Sequence, residues 1–243
     1  MKRLALTALV ALAALGFAPN ALAAAKLRVL HAAPDVPAVT VYLNGQAAVP
    51  SLDPLAATPY AKVKAGTYHV AVSLRGRPAS EAALTATITL HNNTRYTALA
   101  RGLLSAGTAE LALQQDIGKA PRWFSALRVW HLSPDAPNVD VYVYGFRILS
   151  NVPYKAASRY FYLPPGSYFV RINVAGTQTS VFSDFVTLHR GTAYTAAALG
   201  SVAGTGESFR VSVLVDDSRR PWKGDRDRDD DRDDDHDDKD DDD

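Results

Sequence analysis

The sequence predicts an all-β protein made of two tandem antiparallel β-sandwich domains. Two observations support this prediction. A long stretch of the chain is repeated at an offset near 100 residues, and within each copy short runs alternate between apolar and polar side chains. Alternation with a period of two is typical of half-buried strands, and turn residues spaced regularly between such strands favour a sandwich. No helical apolar pattern of useful length occurs after residue 23.

The repeat is clearest in one motif. The stretch HAAPDVPAVTVYLNG at residues 31–45 returns as HLSPDAPNVDVYVYG at residues 131–145. At the same offset Tyr60 matches Tyr160, and at an offset of 98 the segments around Thr97 and Thr195 match. So many matches in one register indicate a tandem duplication. We predict domains at residues 24–119 and 126–222, joined by a linker at residues 120–125.

Each unit is expected to contain about seven strands. In the first unit Val39, Val41 and Leu43 alternate with polar positions, and Gly66 stands where a tight turn separates two strands. The second unit repeats this pattern. The expected strands of the first unit are residues 26–33, 38–44, 59–64, 67–75, 83–91, 95–102 and 108–115.

The first 23 residues predict a secretory signal peptide. Lys2 and Arg3 precede an apolar run at residues 4–18, and Ala21-Leu22-Ala23 is typical of a cleavage site. The run is shorter than the roughly 20 residues that a membrane-spanning helix needs, so we expect no membrane span. We therefore expect a secreted, periplasmic or cell-surface protein cut near Ala23. The absence of cysteine excludes disulfides and thiol nucleophiles.

Charge is distributed unevenly along the chain. Residues 24–223 hold 20 Lys and Arg against 11 Asp and Glu, a net charge of +9. Residues 224–243 hold 14 Asp against four Arg and Lys, a net charge of −10. A segment so rich in Asp and so poor in apolar residues is expected to be a disordered acidic tail, at residues 223–243. It lacks the glycine and glutamate of an EF-hand loop, which leaves weak binding of divalent cations, docking onto the basic body of the same or a neighbouring molecule, or a role in solubility alone.

The motifs resemble a known family. The segments RVLHAAPDVPAVTVYLNG, RVWHLSPDAPNVDVYVYG and LPPGSYFVRI resemble the bacterial secreted family catalogued as domain of unknown function 4397, here in two tandem copies. The resemblance extends over residues 26–217. It implies an immunoglobulin-like or prealbumin-like β-sandwich module of secreted and envelope proteins. It brings no established activity or ligand.

The repeated histidine and aspartate allow two interpretations. If successive strands run in opposite directions and each unit has seven, the strand ends carrying the repeated motifs gather at one end of the sandwich. Two histidines and one aspartate could then bind a divalent metal or act in acid/base catalysis. The alternative is structural: the histidine lies at the rim of the core, and the aspartate between two prolines bonds backbone N–H groups of the corner. The candidate metal ligands are His31, Asp35 and His91 in the first unit and His131, Asp135 and His189 in the second.

Three tryptophans lie at informative places. Trp130 replaces Leu30 on the outward face of a strand and is a candidate contact. Trp123 and Trp222 lie at the ends of the two units, where we expect them to pack against the seam or close each sandwich.

No sequence motif of a nucleophile elbow, a zinc protease or a phosphate-binding loop is present. We therefore expect a non-catalytic binding or structural module without cofactor, whose basic body contacts an anionic envelope glycan or another envelope protein. A metal-dependent enzyme or metal-binding protein is the alternative. Nucleic acid is not expected, because no recognition motif accompanies the charge. The candidate basic residues are Arg75, Arg77, Arg95, Arg101, Arg147, Arg159, Arg171 and Arg190.

Overall fold

The computed structural model describes residues 23–218. The predicted acidic tail and all but the last residue of the predicted signal peptide lie outside the described residues. The described part is all-β and forms two β-sandwiches, as predicted. Among the described residues, none lies in a helix long and apolar enough to cross a membrane.

The first repeat contains eight strands in two four-stranded sheets. The inner sheet has the order β4-β1-β7-β8 and the outer sheet the order β3-β2-β5-β6. A short 3-10 helix, Ala79–Glu81, follows β5. The strands are β1 Ala24–Ala32, β2 Val39–Leu43, β3 Gln46–Leu52, β4 Ala61–Lys64, β5 Gly66–Leu74, β6 Leu84–Leu90, β7 Arg95–Arg101 and β8 Glu110–Asp116.

The second repeat has the same topology. Its inner sheet has the order β12-β9-β15-β16 and its outer sheet the order β11-β10-β13-β14. The strands are β9 Ser125–His131, β10 Val139–Val143, β11 Phe146–Val152, β12 Phe161–Leu163, β13 Gly166–Val174, β14 Ser180–Leu188, β15 Thr192–Leu199 and β16 Arg210–Ser218.

The prediction of seven strands was wrong, because it missed β3 and its counterpart β11. Pro50 stands inside β3, and proline argues against a strand unless the strand is at a sheet edge, which is where β3 lies. The pairing with β2 is also interrupted by register shifts on both sides of Val41, which break the period-two pattern.

The missed strand also reverses every later strand direction. Counted with eight strands, β7 runs parallel to β1, and β15 runs parallel to β9. We expected antiparallel sandwiches, but each sandwich contains one parallel pair of strands. Strand β4 runs antiparallel to β1, with Lys64 opposite Ala24, so the Gly66 turn lies at the end of the sandwich where β1 begins.

Each sandwich has its own core between its two sheets. In β1, Leu27 and Val29 face this core, opposite Val41 and Val72 of the outer sheet. Arg28, Leu30 and Ala32, on the other face of β1, are also buried. A strand buried on both faces must have something packed against each face. The second partner of β1 is the other repeat.

The two inner sheets pack against each other. Leu30 and Leu99 of the first repeat form one apolar cluster with Trp130, Leu132 and Leu199 of the second. Trp130, predicted to be a contact residue, is 1% exposed in this cluster. The repeats therefore form a single block of four layers, in which the outer sheets lie on opposite sides of the paired inner sheets.

Candidate functional site

The repeated histidine is buried, and its side chain makes a hydrogen bond through one ring nitrogen. His31 and His131 are fully buried, and the Nε2 of each donates to a backbone carbonyl six residues later, Pro37 or Pro137, at 3.1 Å. Within the described part of the chain, Nδ1 of either ring has no hydrogen-bond partner. Burial lowers the pKa of both imidazoles, because a charged ring would lose its hydration. The neutral ring thus holds the proline corner to the end of β1 or β9.

The repeated aspartate fastens this corner to a distant loop. The Asp35 carboxylate accepts the backbone N–H groups of Leu104 at 3.0 Å and Ser105 at 2.8 Å. Asp135 does the same with Val202 and Ala203, and also accepts the Ser201 hydroxyl. We expected the bonded N–H groups to lie in the corner itself. They lie instead some 70 residues away in the sequence, in the β7–β8 and β15–β16 loops.

The pKa values of these carboxyls follow from the hydrogen bonds. Burial alone would raise the pKa of Asp35, but the N–H groups of Ser105 and Leu104 outweigh it and hold the pKa below its ordinary value. In Asp135 the effect of burial is likewise outweighed, by the Ser201 hydroxyl and the N–H groups of Val202 and Ala203, and its pKa is also lowered. Both carboxylates are therefore ionised acceptors committed to loop anchoring.

The structure does not bring the predicted metal ligands together. Strand β6 runs antiparallel to β5 and ends at Leu90 beside Gly66, so His91 lies at the opposite end of the sandwich from His31 and Asp35. Asn93 accordingly donates to the carbonyl of Ala24, where β1 begins. His189 follows β14 in the same way. The described residues include no group of three or more His, Cys, Asp or Glu arranged to hold a metal ion.

The most elaborate polar cluster lies between the two repeats. Arg128 of β9 donates to the Asp116 carboxylate of β8 at 2.5 Å, and Arg28 of β1 donates to Asp216 of β16 at the same distance. Each arginine thus pairs with the aspartate of the other repeat. All four side chains are almost completely buried.

Further hydrogen bonds complete each half of this cluster. The second oxygen of Asp116 accepts the Tyr60 hydroxyl at 2.7 Å and the Thr97 hydroxyl at 2.6 Å. Thr97 in turn accepts from Nε of Arg28 at 2.8 Å. Tyr160, Thr195 and Asp216 repeat the arrangement in the second repeat. Burial is the largest factor raising the pKa of both tyrosines. The hydrogen bonds from tyrosine and threonine satisfy the remaining acceptor oxygens of both aspartates, as a stable buried ion pair requires.

Sequence reasoning missed this cluster, although a signal was present. Arg28, Tyr60 and Thr97 all belong to the segments that recur between the repeats, and Asp116 recurs as Asp216 at the same offset of 100. A charged residue that recurs at one position of two otherwise apolar strands indicates a buried pairing. The partner could not be assigned, because it lies in the other repeat.

A family model described as "Domain of unknown function (DUF4397)" matches residues 25–123 and again residues 125–226. The chain belongs to the DUF4397 family. The ionic cluster therefore joins two DUF4397 repeats within one chain.

Other comparisons add little. No curated protein matches the DUF4397 chain. A solved structure titled "The Bacillus anthracis TIE protein" is 13% identical with a TM-score of 0.23, over 77% of this chain and 34% of that one. The chain thus spans about a third of the length of that protein.

Two candidate basic residues of the first DUF4397 repeat are committed to ion pairs. Arg95 is bound to the Asp217 carboxylate across the repeat boundary, and Arg101 donates to Glu110 at 2.9 Å. Arg75 and Arg77 are exposed beyond the end of β5, where Arg77 lies 3.3 Å from Glu81. Because a surface pair of this kind is weak, Glu81 does not prevent a partner from binding Arg77. Arg75 is exposed and equally accessible.

The candidate basic residues of the second DUF4397 repeat mostly lie against aromatic rings. Arg159 is 5.5 Å from the ring centre of Phe161, Arg171 is 5.2 Å from that of Tyr142, and Arg190 is 5.4 Å from that of Trp123. Arg147 lies 3.4 Å from Asp140. The eight arginines thus occupy several separate sites rather than one continuous surface.

Trp123 does not pack as expected. Its side chain is 58% exposed, and the guanidinium groups of Arg122 and Arg190 lie 4.6 Å and 5.4 Å from its ring centre. Because it lies in the linker between β8 and β9, neither sandwich covers it. Trp222 lies outside the described residues.

Proposed function

We propose that this chain is a non-catalytic secreted or cell-envelope module that binds an anionic envelope glycan or protein through its basic body. The observation that carries the proposal is a difference between the acidic and the basic residues. The carboxylates of Asp35, Asp135, Asp116 and Asp216 accept hydrogen bonds within the protein. Arg75, Arg147 and Arg159 are exposed.

The charge of the body supports the same conclusion. With a net charge of +9 over residues 24–223, the body attracts polyanions over distances comparable to the screening length, about 8 Å at physiological ionic strength. Export to the envelope would place it beside acidic polysaccharides and acidic proteins. The Lys2–Ala23 segment, which is typical of a signal peptide, supports export.

Binding to defined polysaccharides tests this function. The purified protein is titrated with polygalacturonate, an acidic polymer, and with dextran, a neutral one, at low and high salt. We expect polygalacturonate alone to bind, with an affinity that falls as salt is raised. Equal binding of both polymers would contradict the proposal, and binding of neither would exclude the glycan and leave an acidic envelope protein as the proposed ligand.

Metal analysis tests the alternative class. Protein purified without chelator is assayed for bound divalent metal. A stoichiometric ion that is lost in His31→Ala and His131→Ala variants would show that the protein is metal-dependent and would contradict the proposed binding module.

A further inference from the structure

The outer sheet of the second repeat carries an unusual set of side chains on its solvent face. Val170 and Ile172 of β13 face the core, so Phe169 and Arg171 between and beside them face outward. In the strand register Phe169 lies opposite Phe185 of β14, and Arg171 lies opposite Tyr142 of β10. Arg147 of β11 lies opposite Tyr142 on its other side. We call this set the aromatic–arginine face: Tyr142, Arg147, Phe169, Arg171 and Phe185.

These side chains form a connected surface. The rings of Phe169 and Phe185 are 5.2 Å apart, and the Arg171 guanidinium lies 5.2 Å from the ring centre of Tyr142. Phe185 is 62% exposed, and the side chain of Arg147 is 54% exposed. Grouped aromatic exposure on a soluble protein commonly marks a binding surface.

The first repeat supplies an internal comparison. The same register positions of its outer sheet are occupied by Tyr42, Ala47, His69, Ala71 and Thr87. That sheet has the same strand order and pairing without the two phenylalanines and two arginines. The aromatic–arginine face is therefore not required to build the sheet, and its presence in one repeat needs another reason.

The chemistry of the face defines its ligand. Flat aromatic rings stack on the apolar faces of sugar rings, and guanidinium groups bind carboxylates through paired N–H donors. Asp140, the carboxylate paired with Arg147, also accepts the backbone N–H groups of Asn151 and Gly176, so it neutralises Arg147 only in part. An open sheet suits an extended polymer that crosses several strands.

We infer that the aromatic–arginine face binds an acidic polysaccharide whose sugar rings stack on Phe169 and Phe185 and whose carboxylates pair with Arg147 and Arg171. The inference rests on the proposed function and names its surface and ligand class. A sugar polymer is favoured over single-stranded nucleic acid, which also stacks on aromatic rings, because the N-terminal sequence is typical of a signal peptide and the proposed function places the protein in the envelope.

The two repeats allow a matched test. A variant with Arg147→Ala, Phe169→His, Arg171→Ala and Phe185→Thr gives the second repeat the residues that the first repeat already carries in the same fold. A control with Lys62→Ala and Lys64→Ala removes the same number of charges from another exposed site, on β4 of the first repeat. Binding to polygalacturonate is measured by calorimetry, and thermal melting confirms that each variant is folded. A Phe185→Thr single variant replaces the fourfold variant if the latter melts early.

The expected result is a loss of affinity of roughly tenfold or more in the face variant and a change below about twofold in the control. Separating the substitutions refines the test: the arginine pair should reduce the salt dependence of binding, and the phenylalanine pair should weaken binding at every salt concentration.

Each other outcome overturns a different statement. Equal losses in the face variant and the control would overturn this inference and leave the proposed function standing. Wild-type protein that binds no acidic polysaccharide would overturn both this inference and the glycan as the ligand of the proposed function. Oligothymidylate binding that is tighter than polygalacturonate binding and lost in the face variant would overturn the choice of a polysaccharide.

Discussion

At the residue scale, the buried histidines act through their neutral form. His31 combines packing against the core with a hydrogen bond to the Pro37 carbonyl. We expect His31→Ala to lower the free energy of unfolding by about 1–3 kcal/mol, through the lost bond and the space left behind. Thermal and urea melts of the purified variant measure the loss. An unchanged melting temperature together with lost ligand or metal binding would show that the role of His31 is functional rather than structural.

The pH dependence provides a control for this prediction. Because burial lowers the pKa of His31 in the folded protein, the unfolded chain takes up the proton first as pH falls below 6.5. The stabilisation by the neutral ring is thus complete above pH 6.5 and is lost as pH falls towards the folded-state pKa. The difference in stability between wild type and His31→Ala should therefore narrow in acid, while His131 contributes equally to both proteins.

The buried arginines are expected to be more sensitive than the histidines. Replacing Arg128 by Met leaves the Asp116 carboxylate buried with only the Tyr60 and Thr97 hydroxyls. We expect a loss of about 3–5 kcal/mol, because an unpaired buried charge is costly. Urea unfolding measures it, with Arg159→Met, an exposed arginine, as the control. The double variant with Asp116→Asn should lose less than the sum of the single variants. A loss in Arg128→Met no larger than in Arg159→Met would show that the ion pair is not stabilising.

At the scale of strands and loops, the β15–β16 loop ties the second repeat to the first. Glu207 donates its N–H to the carbonyl of Pro34 at 2.9 Å. Gly206 lies so close that a Cβ on it would be 2.0 Å from this carbonyl oxygen. The Asp135 carboxylate anchors the same loop from within its own repeat.

Substitutions at two glycines of this loop distinguish the effect of the contact with Pro34 from the effect of backbone strain. Gly204 and Gly206 have similar positive φ angles, +83° and +85°, but a Cβ on Gly204 would meet open space. Gly206→Ala should therefore displace the loop from Pro34, whereas Gly204→Ala should cost only about 1 kcal/mol of backbone strain. Hydrogen exchange of the Glu207 amide is the measurement, since only Gly206→Ala should accelerate it strongly. Similar exchange in both variants would contradict this account.

Strands that bury one face and expose the other were predictable from the sequence. Strand β6 follows this rule, with Ile88 and Leu90 buried and the threonines between and before them exposed, and it lies where expected. Strand β3 does not, since its proline and bulged register hide the alternation. That single omission placed His91 at the wrong end of the sandwich and made β7 antiparallel to β1. The directions of strands are therefore less predictable than their positions, because one error propagates along the chain.

The candidate site was less predictable than the strands, for a physical reason. The corner roles of His31 and Asp35 depend on residues nearby or in the same repeat, and the structural interpretation anticipated their hydrogen-bonding character. The Arg28–Asp216 pair and the aromatic–arginine face depend on which strands lie side by side. Periodicity indicates that a residue is buried or exposed, but it does not identify the residue across the interface.

At the scale of the whole molecule, the pseudo-symmetric interface predicts how a single repeat behaves. Every sheet is built from strands of one repeat, so each unit should fold alone. The isolated first unit carries both Arg28 and Asp116, together with the apolar Leu30 and Leu99. Two copies can therefore form the same reciprocal pairs that the intact chain forms between its repeats.

We expect residues 24–119, expressed alone, to form a dimer, because the monomer would expose this apolar surface and an unpaired charge. Sedimentation measures the mass, and Asp116→Asn should shift the equilibrium towards the monomer. A folded monomer at high concentration would show that the interface depends on the covalent link. An unfolded unit would contradict the division into two independent domains.

The acidic segment at residues 224–243 has a charge opposite to that of the body. The body has a net charge of +9 and residues 224–243 have −10, joined within one chain, so the effective concentration of one near the other is high. The acidic segment should therefore compete with an anionic polysaccharide for the basic surface. Its aspartates have short side chains and no apolar neighbours to anchor them, so the attraction should be diffuse and should weaken as salt shortens the screening length.

Deleting residues 224–243 should tighten polygalacturonate binding at low salt and change it little at high salt. A variant in which every aspartate of the segment is replaced by asparagine keeps its length and separates charge from bulk, and it should behave like the deletion. NMR spectra of the full-length protein and the deletion at two salt concentrations locate the contact. Shifts of arginine-bearing strands that depend on the segment and vanish with salt would support competition. Identical body spectra at low salt, with unchanged binding, would show that the acidic segment does not occupy the basic surface.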